Sequence, residues 1–299
     1  MIAFMFPGQG SQAVGMGRAF YDTSPGAKAV FEEAADALGF DLTRLVFEGP
    51  ESELALTANT QPAVLTASVA AAAACAERGV KPALAAGPSL GEYSALVVAG
   101  ALRFADAVRI VRQRGEFMQD AVPVGTGAMA AIMGLELPAV EQVCAEAAQG
   151  EVVGIANVNS ALQIVVAGHC GAVERAVALA AERGGKKSVM LPVSAPFHCA
   201  LMAPAAEKLR PALEAIAVAD PAIPVVRNVD AGVTRTAPEV KPFLLRQVAS
   251  PVRWTDCVRR LAVEGATTFV EVGPGRVLTA LLKRIVDGAR GLSVEDPAG

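Results

Sequence analysis

The sequence predicts an α/β protein in which a small β-α-β-β-α-β unit interrupts a larger body built on a parallel sheet. Three observations carry that expectation. Short apolar runs alternate with longer helical patterns as far as residue 118, as parallel strands covered by helices require. From Gly125-Thr126-Gly127 the order becomes strand, helix, strand, strand, helix, strand, a ferredoxin-like succession. Beyond Phe197 the first rhythm returns.

In order, 2–6 reads as a strand, 25–38 and 62–77 as helices, 83–86 as a strand, and 93–98 and 105–118 as helices. The inserted unit reads as strand 128–135, helix 138–148, strands 152–158 and 163–167, helix 172–183 and strand 187–192. There follow helix 201–216, strand 223–229, helices 240–248 and 254–262, strand 268–272 and a last helix from Arg276. The expected division is a discontinuous large domain, 1–125 with 195–299, and a small domain, 126–194. Insertion at a surface turn is the tolerated way to add such a piece.

Hydrophobic residues make up 53% of the 299 but aromatics only 5%, so Ala, Val and Leu must build the core. A net charge of −4 without a long basic run argues against nucleic acid as a partner. Five scattered cysteines, with no Cys-x-x-Cys pair, read as reduced thiols of a cytoplasmic protein without a metal site. No basic leader precedes Pro7, and the longest apolar stretch, 63–76, is too short to cross a bilayer. It reads as a buried, alanine-rich helix of a protein without a membrane partner, and a monomer is the expected state.

Ser89 lies in Gly87-Pro88-Ser89-Leu90-Gly91, between an apolar strand and a helix. A serine at such an apex is exposed as a nucleophile and faced by the amides of the following helix, which makes the large domain α/β-hydrolase-like. Chance glycine-rich turns match the same pentapeptide. A serine nucleophile needs a base, and the chain has two histidines, His169 and His198. His198 sits in a proline-bent loop after a strand, where catalytic loops of α/β proteins lie, and is the favoured base; His169 reads as exposed or capping. Gly8-Gln9-Gly10 after the first strand loosely matches a dinucleotide fingerprint, but Pro7 interrupts it and no acid stands at the ribose spacing. The loop is better suited to donate an amide to an oxyanion.

Several segments together resemble the malonyl-CoA:acyl carrier protein transacylase family, nearly end to end and in the right order. They are Phe6-Pro7-Gly8-Gln9-Gly10-Ser11-Gln12, the Ser89 pentapeptide with Glu92-Tyr93-Ser94-Ala95-Leu96, Arg114-Gly115-Glu116-Phe117-Met118-Gln119, Pro196-Phe197-His198, Gln247 ahead of Ser250-Pro251-Val252-Arg253-Trp254, and Val272-Gly273-Pro274-Gly275. The resemblance implies an acyltransferase that moves malonyl from malonyl-CoA to the phosphopantetheine thiol of acyl carrier protein through an acyl-serine, in ping-pong order and with no cofactor besides the coenzyme A thioester substrate. Ser89 is then the nucleophile, His198 the base, the amides of Gln9 and Leu90 the oxyanion hole, and a Gln247 carbonyl the group that orients the histidine. Arg114 would hold the malonyl carboxylate. From its helix alone, Arg114 reads equally as a surface arginine beside Arg109 and Arg112.

Phe197 resembles the residue that accompanies malonyl rather than methylmalonyl selection, or simply packs its loop. Asn157 and Asn159, on the middle strand of the small domain, line the cleft or close a turn. Pro88 departs from the histidine usual at its position, so altered activity is expected. The implied carrier protein is acidic, and Lys186, Lys187, Arg253, Arg259, Arg260, Lys283 and Arg284 are candidates to meet it. A freestanding acyltransferase of polyketide assembly, a serine acyl-thioester hydrolase and a non-catalytic docking subunit remain alternatives.

Overall fold

The chain begins with β1 (Ile2–Met5) and runs through α1 (Arg18–Thr23), α2 (Pro25–Leu38), α3 (Leu42–Glu48), α4 (Glu51–Leu54) and α5 (Thr57–Glu77) before β2 (Leu84–Ala86). Helices α6 (Leu90–Val98) and α7 (Phe104–Gln119) follow. Next come β3 (Gly127–Met133), α8 (Leu137–Ala148), β4 (Val153–Ser160), β5 (Gln163–His169), α9 (Cys170–Glu182) and β6 (Lys187–Met190). The rest holds α10 (Ala203–Ala215), β7 (Val225–Val226), β8 (Val233–Thr234), α11 (Ala237–Val248), α12 (Trp254–Val263), β9 (Thr268–Val272), α13 (Val277–Leu282) and β10 (Arg290–Val294). The structure, a computed structural model, describes residues 1–193 and 195–298; the boundary expected at Ser194 and the terminal Gly299 lie outside them.

Among the described residues one sheet has the order β10-β9-β1-β2-β7-β8, parallel except for the pair β7 and β8. The other is antiparallel, β4-β5-β3-β6. Alternation along the strands sets the layers. Phe4, Phe6 and Ala85 face the core that contains α2, α5 and α7, while Ala3, Met5, Leu84 and Ala86 face Trp254, Val258 and Leu261 of α12 and Leu278 of α13. In the antiparallel sheet, Ala130, Ile132, Ile164 and Val166 pack on α8 and α9. Met129, Ala131, Val165 and Ala167 of the opposite face join the large core, so that face closes over the C-terminal ends of β1 and β2.

Several elements differ from the sequence reading. Helix α5 starts five residues earlier, at Thr57, and carries Pro62 within it. Pro62 cannot donate to Ala58 O, and Arg112 Nη1 from α7 donates to that carbonyl instead, at 3.3 Å. The strand expected over 223–229 shrinks to Val225–Val226, which turns back onto Val233–Thr234. Beyond α13 a further strand, β10, extends the parallel sheet beside β9. The short helices α1, α3 and α4, bracketed by Gly and Pro, also escape periodicity. Asn157 lies not on a middle strand but on the outermost strand, β4, whose free edge bridges to Val252.

Candidate active site

Ser89 occupies the turn between β2 and α6 with φ 54 and ψ −108, a left-handed strain for a non-glycine residue. Its two flanking glycines are there for space. A Cβ on Gly87 would come within 2.3 Å of the Gly91 carbonyl carbon, and one on Gly91 within 2.1 Å of Phe6 O on the neighbouring strand end. Asn228, just past β7, pins the turn: Ser89 N donates to its Oδ1 at 2.5 Å, and its Nδ2 donates to Gly87 O at 2.9 Å.

His198 is buried, with φ 60, in the loop after β6. Its Nδ1 lies 3.0 Å from Gln247 O and its Nε2 2.7 Å from Ser89 Oγ. A carbonyl only accepts, so Nδ1 carries the proton and Nε2 accepts from the serine hydroxyl. Burial first and the Arg114 charge second hold this imidazole down, to about 3, in spite of the stabilising Gln247 carbonyl. The imidazole is therefore neutral across the physiological range.

Arg114 is not on the surface. It is 1% exposed on α7, with Nη1 donating to Gln61 Oε1 at 2.8 Å and Nη2 donating to both Ser89 Oγ and Gln247 Oε1 at 3.0 Å. Its guanidinium carbon lies 5.5 Å from the Tyr93 ring centroid. No carboxylate forms an ion pair with it among the described residues. Desolvation accordingly lowers its pKa. Arg112, two residues before, pairs instead with Glu116 at 2.7 Å.

A cleft of about 550 Å³ opens over Ser89, between the strand ends of the large sheet and the inner face of the small one. Gln9, Arg114, Asn157, Asn159, Phe197 and His198 all line it, as does Pro88. Gln9 sits on the loop after β1, which presses Gly8 against Pro88 O. Its side-chain Nε2 donates to Thr57 Oγ1 at 3.2 Å. The amides of Gln9 and Leu90 have no hydrogen-bond partner among the described residues. His169 does not line this cleft: its Nδ1 accepts from Val152 N at 2.9 Å, which fixes the end of β5.

Residues 3–299 match the acyl transferase domain family. The malonyl CoA-acyl carrier protein transacylase of Bacillus subtilis (strain 168) is 49% identical over 99% of this chain and 94% of its own length. That of Escherichia coli (strain K12) is 51% identical over 99% and 96%. The chain belongs to the malonyl-CoA:acyl carrier protein transacylase family. An acyl carrier protein S-malonyltransferase structure from Vibrio cholerae superposes on this transacylase-family chain with a TM-score of 0.97 at 50% identity, covering 99% of this chain and 97% of that one. A malonyl-transacylase solved with its type II PKS acyl-carrier protein gives 0.96 at 48% identity, over 99% and 96%.

Within this family fold, three residues of the site went unread in the sequence. Gln61 and Asn228 are buried amides, and the one available hint was that Asn228 ends a predicted strand, where sites of parallel sheets gather. Glu92 is a buried acid, 3% exposed, whose Oε2 accepts from Gln247 Nε2 at 2.8 Å and from Asn228 N at 3.0 Å. Burial, outweighing these bonds, pushes its carboxyl up to about 7.

Proposed function

We infer that this chain is an [acyl-carrier-protein] S-malonyltransferase of fatty acid synthesis, and that one observation carries the site assignment. Ser89 Oγ stands between an imidazole that can take its proton, at 2.7 Å, and a buried guanidinium that forms no ion pair among the described residues, at 3.0 Å. A desolvated cation beside a nucleophile is costly unless the substrate supplies the anion, and the free carboxylate of a malonyl group does so in a geometry that the planar fork of arginine fits.

In this reading Ser89 Oγ attacks the thioester carbonyl while its proton passes to His198 Nε2. The C–S bond breaks, the coenzyme A thiolate recovers that proton from Nε2, and malonyl-serine remains. The carrier's phosphopantetheine thiol then enters, loses its proton to Nε2 and attacks the ester, and the proton returns to Ser89 Oγ as the new thioester leaves. The amides of Gln9 and Leu90 receive the carbonyl oxygen's charge in both halves. The Gln247 carbonyl keeps His198 in the productive tautomer. A malonyl carboxylate on Arg114 would also offset one of the two causes that depress His198, so the right substrate makes the base stronger.

The parallel strands, the elbow and the order of the antiparallel strands support reading the large part as α/β-hydrolase-like and residues 126–194 as an inserted ferredoxin-like domain, with the cleft between them. Asn157 and Phe197 both line that cleft, and in this reading they contact the pantetheine arm and the acyl group. For the carrier, Arg253, Arg259 and Arg260 are engaged by Asp256 and Glu264, which leaves the exposed Lys186, Lys187, Lys283 and Arg284 as the members of the candidate set without an ion pair among the described residues. No described helix is long and apolar enough to cross a membrane.

Intact-mass measurement after exposure to malonyl-CoA tests this reading. The native chain gains one malonyl group, Ser89→Ala gains none, and added holo carrier protein removes the adduct onto its thiol. An adduct on Ser89→Ala, or release of free malonate with the carrier left unloaded, would refute it.

A further inference from the structure

Ser89-Leu90-Gly91-Glu92 spells the capping-box pattern at the start of α6, in which the serine hydroxyl and the glutamate carboxylate would cap each other's backbone amides. The structure makes neither bond. The hydroxyl turns to His198 and Arg114, and the Ser89 amide is capped by Asn228 Oδ1. Glu92 is thereby released to do something else, and it is buried among side chains of the site at considerable desolvation cost.

Both of its described bonds end on one oxygen. Gln247 Nε2 and Asn228 N donate to Oε2, and the same Nε2 also donates to Ser89 O at 3.0 Å and to Asn228 Oδ1 at 3.3 Å. These contacts decide which way round the Gln247 amide lies. With Nε2 turned to Glu92, Oε1 meets Arg114 Nη2 at 3.0 Å. In the reverse orientation an NH₂ group would face the guanidinium, donor against donor, and Arg114 would lose the acceptor that aims Nη2 at the acyl site.

We propose that Glu92 is a positioning residue, the carboxyl acceptor at the shortest distance among the three that hold Gln247 Nε2, and that it orients the Gln247 amide so that Arg114 is held toward the acyl chain and a carboxylated acyl group is preferred. The proposal rests on Arg114 as the holder of the malonyl carboxylate. Asn228, bonded to the same oxygen and to Ser89 N, joins the elbow to this arrangement.

Acyl-enzyme formation with malonyl-CoA and with acetyl-CoA is measured for the native chain, Glu92→Ala, Glu92→Gln and Arg114→Ala. In Glu92→Ala the malonyl-to-acetyl ratio of kcat/KM is expected to fall at least about tenfold, the size of a lost charged acceptor. Glu92→Gln retains the native ratio, because one carboxamide oxygen can receive both donors. If Glu92→Ala does not fold, Glu92→Asp, which draws the carboxylate back by one methylene, must lower the ratio in the same direction.

An unchanged ratio in the Ala or Asp variant, while Arg114→Ala abolishes the preference, overturns the proposal and leaves the Arg114 reading intact. So does a Gln variant as unselective as the Ala one. A native ratio in Arg114→Ala itself instead sinks the reading on which the proposal stands.

Discussion

Gly91→Ala tests whether the elbow depends on contact between α6 and the end of β1. The added Cβ would lie 2.1 Å from Phe6 O, 3.0 Å from Phe6 C and 3.2 Å from Pro7 O. Ordinary contact requires more than an ångström of separation beyond the first of these. Phe6 cannot simply withdraw, because it is fully buried and its amide donates to Ala86 O at 2.9 Å. Overpacking of this kind costs about 1–3 kcal/mol, which in a chain of this size lowers the melting temperature by about 5 °C. With Ser89 as the nucleophile proposed above, a displacement of about 1 Å at its Oγ is expected to slow acyl-enzyme formation by about a hundredfold. Gly154→Ala is the control, since its Cβ would meet nothing within 4 Å. Thermal melts and rapid-quench loading with malonyl-CoA read both effects. If Gly91→Ala melts and loads like Gly154→Ala, the close approach does not hold the elbow.

Replacing Asn228 by Ala strands the Ser89 amide and the Gly87 carbonyl, each at about 1–3 kcal/mol. Loading is expected to slow at least about tenfold with malonyl and acetyl donors alike, and a change in their ratio would show that Asn228 acts on selectivity rather than on the turn. The buried imidazole gives a pH signature. His198 lies at about 3 in the folded chain against 6.5 when free, so the unfolded chain takes up the proton first, and stability falls as pH drops below about 6.5 toward 3. At pH 5 the loss due to this residue is about 2 kcal/mol. Urea unfolding at pH 7 and pH 5 should thus show His198→Asn losing less stability on acidification than the native chain; equal losses would contradict the assignment. Glu92, lifted by burial to about 7, works in the opposite sense, its contribution declining as pH rises from about 4.5 through 7, and Glu92→Gln should lessen that decline in the same titration.

What the sequence alone determined is the part of the protein written in neighbouring residues. The strand, turn and helix around Ser89 and the alternation of strands and helices follow from local periodicity, and the short list of two histidines follows from composition. The glycines at 87 and 91 mark the turn before any contact is known. Helix α5 gives the limit of that reasoning: it is buried on every side, so it has no polar face to define its start, and a proline break was overcome by an arginine 50 residues away. The tertiary structure decided whatever depends on burial and on long-range pairing. Arg109, Arg112 and Arg114 share one helix and one chemistry, and only the packing of α7 against α5 and α6 buries the third beside Ser89 while Arg109 pairs with Asp106 and Arg112 with Glu116. Gln61, Asn228 and Glu92 are invisible in sequence for the same reason: an amide or a carboxylate gains its role when desolvation makes each hydrogen bond obligatory, and desolvation is a property of the whole fold.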